Sequence, residues 1–84
     1  MQMYELSAHA ERMLAIRQID RAWMEQVLDS PERTERHDLD PELRHAIGRV
    51  AACGDRYLRV VYNASVTPIR VVTVYFDRGL KGEP

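Results

Sequence analysis

The sequence predicts an α+β domain, with two N-terminal helices packed on one face of a three- to four-stranded antiparallel sheet. Three observations carry that expectation. Residues 8–29 place apolar side chains at helical spacing, the pattern of amphipathic helices. Residues 57–63 and 69–76 are rich in Val and Tyr, which suit a half-buried strand. Helices followed by strands, without regular alternation of the two, belong to the α+β class.

Each element has a local reason. Tyr4, Glu5 and Leu6 read as a short edge strand, and Ser7 offers an N-cap oxygen to the helix after it. In that helix Ala10, Met13, Leu14 and Ile16 form the apolar stripe, with His9 and Arg12 at its margin. Gln18-Ile19-Asp20 interrupts the pattern, and Asp20 caps a second helix whose Trp23, Met24, Val27 and Leu28 share one face. Trp23 and Met24 are expected in the core. Ser30-Pro31 ends this helix, because the residue before a proline is pushed out of helical geometry.

Residues 34–37 read as a strand, residues 38–41 as a loop, and residues 44–52 as a strand with a small-residue centre. Cys53-Gly54-Asp55 is a turn, and Pro68 suits the entrance of the last strand. The expected division is a single domain over residues 1–78 and a flexible C-terminal tail over residues 79–84.

Eighty-four residues fit one domain, since domains run to roughly 50–250 residues. A hydrophobic content of 45% with 30% charged residues argues against disorder. The single Cys53 can form no internal disulfide, which fits a reducing compartment. No apolar run approaches the roughly 20 residues needed to span a bilayer, and residues 1–6 lack the pattern of a signal peptide. A cytoplasmic protein with no membrane contact is expected. His9, His37 and His45 are widely separated and Cys53 has no C-x-x-C partner, whereas structural zinc uses clustered ligands. Neither a Gly-rich phosphate loop nor a nucleophile elbow is present. No metal or cofactor is expected.

The net charge of −1 does not advertise nucleic-acid binding, but eleven of the twelve basic residues are arginine. Arginine suits bidentate phosphate contacts and stacking on bases; a GC-rich genome is the bland source of the same bias. Strand parity then assigns faces. Leu58, Val60 and Tyr62 point to one side, and Arg59, Val61 and Asn63 to the other. On the last strand Arg70, Val72, Val74 and Phe76 share one side, with Val71, Thr73 and Tyr75 opposite. With the more apolar sides against the helices, Arg59, Asn63, Thr73 and Tyr75 share an open, polar face. His9 and Arg12, three residues apart, are neighbours on their helix. They are suited either to proton transfer and phosphate binding, or to bracing the fold through a backbone carbonyl and a carboxylate.

The run His9-Ala10-Glu11-Arg12-Met13, then Arg17-x-Ile19 and Val27-Leu28-x-x-Pro31, resembles the domain-of-unknown-function family numbered 4258. Gly48-Arg49, Leu58-Arg59-Val60-Val61-Tyr62 and Val71-Val72-Thr73-Val74-Tyr75 fit the same pattern, so the resemblance covers about residues 9–75. That family is similar to the BrnT and RelE groups of bacterial toxins, small α+β ribonucleases silenced by a cognate antitoxin protein. The resemblance implies a RelE-like domain with an RNA-binding site across the sheet. It implies a metal-independent endoribonuclease in which the RNA 2′-hydroxyl attacks the adjacent phosphate. On that reading His9, Arg59 and Tyr75 are the catalytic candidates, and Arg12, Arg17, Thr73 and Asn63 the RNA and phosphate ligands. The alternative is a non-catalytic RNA- or protein-binding module with the same fold, which the slightly acidic balance favours.

Overall fold

The computed structural model describes residues 3–79. In chain order they form β1 (Tyr4–Leu6), α1 (Ala8–Ile16), α2 (Arg21–Asp29), β2 (Arg33–Arg36), β3 (Leu43–Val50), β4 (Arg56–Asn63) and β5 (Ile69–Phe76). A short 3-10 turn, Ala51–Cys53, joins β3 to β4. The expected tail falls mostly on residues 80–84, outside the described residues.

Both helices start where their caps dictate. Ser7 Oγ accepts the Ala10 amide at 3.0 Å, and Asp20 Oδ1 accepts that of Ala22 at 2.8 Å. Each bond satisfies an amide that the first helical turn leaves without a carbonyl. α1 ends at Arg17, Gln18 follows with a φ of 54°, and α2 ends at Ser30. Ala10 and Leu14 of α1 are buried and Met13 packs beside them. Ile16, expected in the stripe, is 64% exposed. In α2, Met24, Val27 and Leu28 are buried, and Trp23 lies partly buried against them.

The sheet corrects the expected fold class. It has five strands in the order β1-β5-β4-β3-β2, and β1 runs parallel to β5, so it is mixed rather than three- or four-stranded and antiparallel. The reason is physical. β1 has three residues and β2 four, the latter wholly exposed as Arg-Thr-Glu-Arg, too short for either to fix its own direction. Their partners define them instead: β2 pairs antiparallel with β3, and the Ser7 amide extends the β1–β5 ladder to the Val71 carbonyl at 3.0 Å. Strand direction is a property of the partner, which local periodicity does not contain.

β3 is shorter than its sequence pattern, because Ala51 and Ala52 leave the ladder for the 3-10 turn. Gly54 and Asp55 then reverse the chain with φ of 67° and 61°; glycine meets the first without a Cβ clash. Gly48 lets α2 approach closely, since a Cβ there would sit 3.3 Å from Val27 Cγ2.

The helices cover one face of the sheet. Ala10, Leu14, Ile19, Met24, Val27 and Leu28 meet Ala46, Val50, Leu58, Val60, Val71 and Val74 in one cluster. Burying each larger side chain contributes roughly 1.5–3 kcal/mol. Ile47 and Val61 are also buried but stand outside that cluster, on the opposite face. β5 does not keep one parity along its length. The register runs Asn63↔Arg70, Tyr62↔Val71, then Val61↔Thr73, so Val72 is an extra residue, a β-bulge. Val71 therefore joins Val74 in the core, and Arg70 moves to the side of Thr73 and Tyr75, the reverse of the expected assignment for both. Among the described residues no helix is long and apolar enough to cross a membrane.

Candidate functional site

The face away from the helices carries the polar chemistry. Cross-strand register aligns Glu35, His45, Val61 and Thr73 in one row, and Arg33, Ile47, Arg59 and Tyr75 in the next. Arg59 is the centre. Its side chain is only 11% exposed and lies between two carboxylates. Nε and Nη2 both donate to Asp77 Oδ2 at 2.8 Å, and Nη1 donates to Glu35 Oε1 at 3.0 Å. Asp77 is aimed inward because its own amide extends the ladder, donating to the Tyr57 carbonyl at 2.9 Å, while Oδ1 accepts the Gly79 amide at 2.8 Å. Burial opposes the Arg59 charge, but the bonds to Glu35 and Asp77 outweigh it and hold its pKa above the ordinary value. Arg59 is a compensated cation beside its cross-strand partner, the buried Ile47, not a charge held in reserve.

Two histidines extend the network. Arg59 Nη1 lies 2.7 Å from His45 Nδ1, and His45 Nε2 lies 2.9 Å from His37 Nδ1. A guanidinium only donates, so His45 Nδ1 must accept. The neutral ring then carries its proton on Nε2 and donates to His37 Nδ1, which leaves the His37 proton on Nε2. One charge thus fixes both tautomers and leaves His37 with an N–H at Nε2. Burial first, then the charge of Arg59, holds the His45 pKa below its ordinary value, against the pull of Glu35 and Asp38.

The other feature lies where β5 outruns β1. β1 pairs only with residues 69–71, so part of the outer edge of β5 is open. Ser7 Oγ donates to the Val72 carbonyl at 3.1 Å, and Arg17 Nη1 to that of Val74 at 3.1 Å. Anchored there at the end of α1, the Arg17 guanidinium sits 5.8 Å from the centre of the Tyr75 ring, within cation–π range. Arg17, Tyr75, Phe76 and Arg78 line a cleft of about 400 Å³. Among the described residues, no carboxylate pairs with Arg17 or Arg78.

The structure brings Arg59, Thr73, Tyr75 and Asn63 to one face, with Arg17 at its rim. Asn63 is engaged in its own turn, where Oδ1 accepts the Ser65 amide at 2.8 Å and hydroxyl at 2.7 Å. His9 and Arg12 stand exposed on α1, across the sheet from Arg59. His9 and Arg59 therefore share no site. Sequence reasoning missed His37, His45, Glu35, Asp77 and Arg78. A signal existed for His45, which alternates with Ile47 along β3, but its partner Arg59 emerges only from the β3–β4 register. Among the described residues no three His, Cys, Asp or Glu side chains cluster as metal ligands.

Comparison with known proteins gives one match. A family model described as a domain of unknown function, DUF4258, matches residues 6–76. No curated protein and no solved structure matches the chain.

Proposed function

The chain belongs to the DUF4258 family, and from the geometry of its open sheet face we propose that it is a single-stranded RNA-binding module. The observation that carries this reading is the cleft at the β5 edge, where Arg17 lies over the Tyr75 ring with Arg78 beside it. Single-stranded RNA is held by aromatic and guanidinium planes that stack on bases and by cations that meet phosphates. Thr73 and the Nε2–H of His37 add hydrogen-bonding groups along the same face. Binding rather than cleavage fits the centre of the face, because Arg59 spends its charge on Glu35 and Asp77. The histidine pair, pinned by Arg59, presents a donor and not a general base.

Fluorescence anisotropy with an unstructured oligouridylate tests this reading. Binding that weakens with salt, and by about tenfold or more in Tyr75→Leu, is the expected result, since base stacking on an aromatic contributes about 1–3 kcal/mol. An oligonucleotide that stays free at micromolar protein refutes it.

A second reading rests on one observation, the contact between His37 and His45 on the same face. If ligand binding draws Arg59 away, the pair is released to move protons, and the protein becomes a metal-independent endoribonuclease using 2′-hydroxyl attack, with an antitoxin protein as its natural inhibitor. Long incubation with RNA in chelator decides it. Fragments ending in 2′,3′-cyclic phosphate, lost in His37→Gln, favour cleavage; intact RNA favours binding alone.

A further inference from the structure

The described cations along the open face divide into those paired with carboxylates and those without. Along the face, Arg59 is neutralised by Glu35 and Asp77, Arg33 by Glu35, and Arg70 meets Glu5. Arg17 and Arg78, by contrast, have no carboxylate partner among the described residues, and both line the same cleft beside Tyr75. A surface that tracks a long backbone needs a row of uncompensated cations, one phosphate after another. Among the described residues of this face there is one such pair, at one end.

Two cations lining one cleft match a ligand with close to two charges on one group. An internal phosphodiester carries one. A terminal phosphomonoester carries about −1.5 to −2 at neutral pH and offers three acceptor oxygens, enough for contacts with two guanidinium groups. We propose, building on the RNA-binding reading, that the Arg17–Tyr75–Arg78 cleft recognises the phosphorylated end of an RNA strand. The guanidinium groups hold the phosphomonoester, and the terminal base stacks against the Tyr75 ring. The cleft volume of about 400 Å³ lies within the roughly 300–1,000 Å³ typical of small-ligand sites.

The test measures anisotropy with one short oligouridylate in three forms: 5′-phosphate, 3′-phosphate, and hydroxyl at both ends. One phosphorylated form is expected to bind about tenfold tighter or better than the hydroxyl form, the factor that about 1.4 kcal/mol supplies; which form wins identifies the end that is read. Inorganic phosphate should compete away that advantage. Arg78→Ala and Arg17→Gln should erase it, the glutamine keeping an N–H for the Val74 carbonyl. Arg78 lies outside the helices and strands, so its variant carries the test if Arg17→Gln does not fold. Equal binding of all three forms overturns the proposal and leaves RNA binding intact, as does an advantage that survives in Arg78→Ala. Absence of binding by every form refutes the RNA reading itself, and this proposal with it.

Discussion

His45 Nδ1 accepts a hydrogen bond from Arg59 Nη1 at 2.7 Å, a contact that only the neutral ring can make. Burial acts in the same direction, and the His45 pKa lies below the ordinary 6.5. The unfolded chain therefore binds a proton more readily than the folded one. The His45 contribution to stability is complete above about pH 6.5 and is lost as pH falls toward the lower folded value. Urea midpoints across that window should show the decline. NMR titration of the His45 ring should show its pKa rising in Arg59→Met, though burial keeps part of the depression.

Arg59→Met should cost about 2 kcal/mol. The loss comes mainly through Asp77, which loses both guanidinium donors. Glu35 is 41% exposed and recovers water, so its share is smaller. A double-mutant cycle with Asp77→Asn measures the coupling. A coupling near zero would place the arginine's role in packing beside Ile47 instead.

The phenol of Tyr4 donates to Glu25 Oε2 at 2.6 Å, tying β1 to α2. Burial and then the Glu25 carboxylate push its pKa up to about 12 from the usual 10. A raised folded value means the contribution is whole below pH 10 and disappears as pH climbs toward 12. Ultraviolet titration should show one tyrosine ionising late, and Tyr4→Phe should remove that step while costing about 1 kcal/mol.

Gly48→Val should destabilise by about 1–3 kcal/mol, because the added methyl groups press on Val27. Valine favours strands, so an isolated propensity argument gives the opposite sign. Chemical denaturation decides between them. Adding Val27→Ala to the variant should restore part of the loss by opening the space that the larger residue needs.

Much of this fold is legible locally because its signals are local. Ser7 and Asp20 cap helices three residues or fewer away, and the parity of Arg59, Asn63, Thr73 and Tyr75 follows from alternation within single strands. The remainder depends on partners. The bulge at Val72 exists only as a mismatch between β4 and β5, so counting along β5 alone misplaced Val71 and Arg70. β2, expected over residues 34–37, forms one residue earlier, over Arg33–Arg36, because pairing with β3 sets its ends. The site fails to be legible for the same reason. Arg59 meets residues 18 and 24 positions away, Asp77 and Glu35, and the place of His9 across the sheet from them follows from packing, not from its spacing along the helix.

The last strand along the chain is not the last strand across the sheet. β5 lies between β1 and β4, so β1 waits unpaired, and α1 without the sheet it packs on, until residues 69–76 are available. A nascent chain can close the β2–β3–β4 meander early, but joining its two ends requires the longest-range pairing in the molecule. Contacts of that span slow folding. A cut before β5 would therefore not trim a margin; it would remove the seam that makes two pieces one domain.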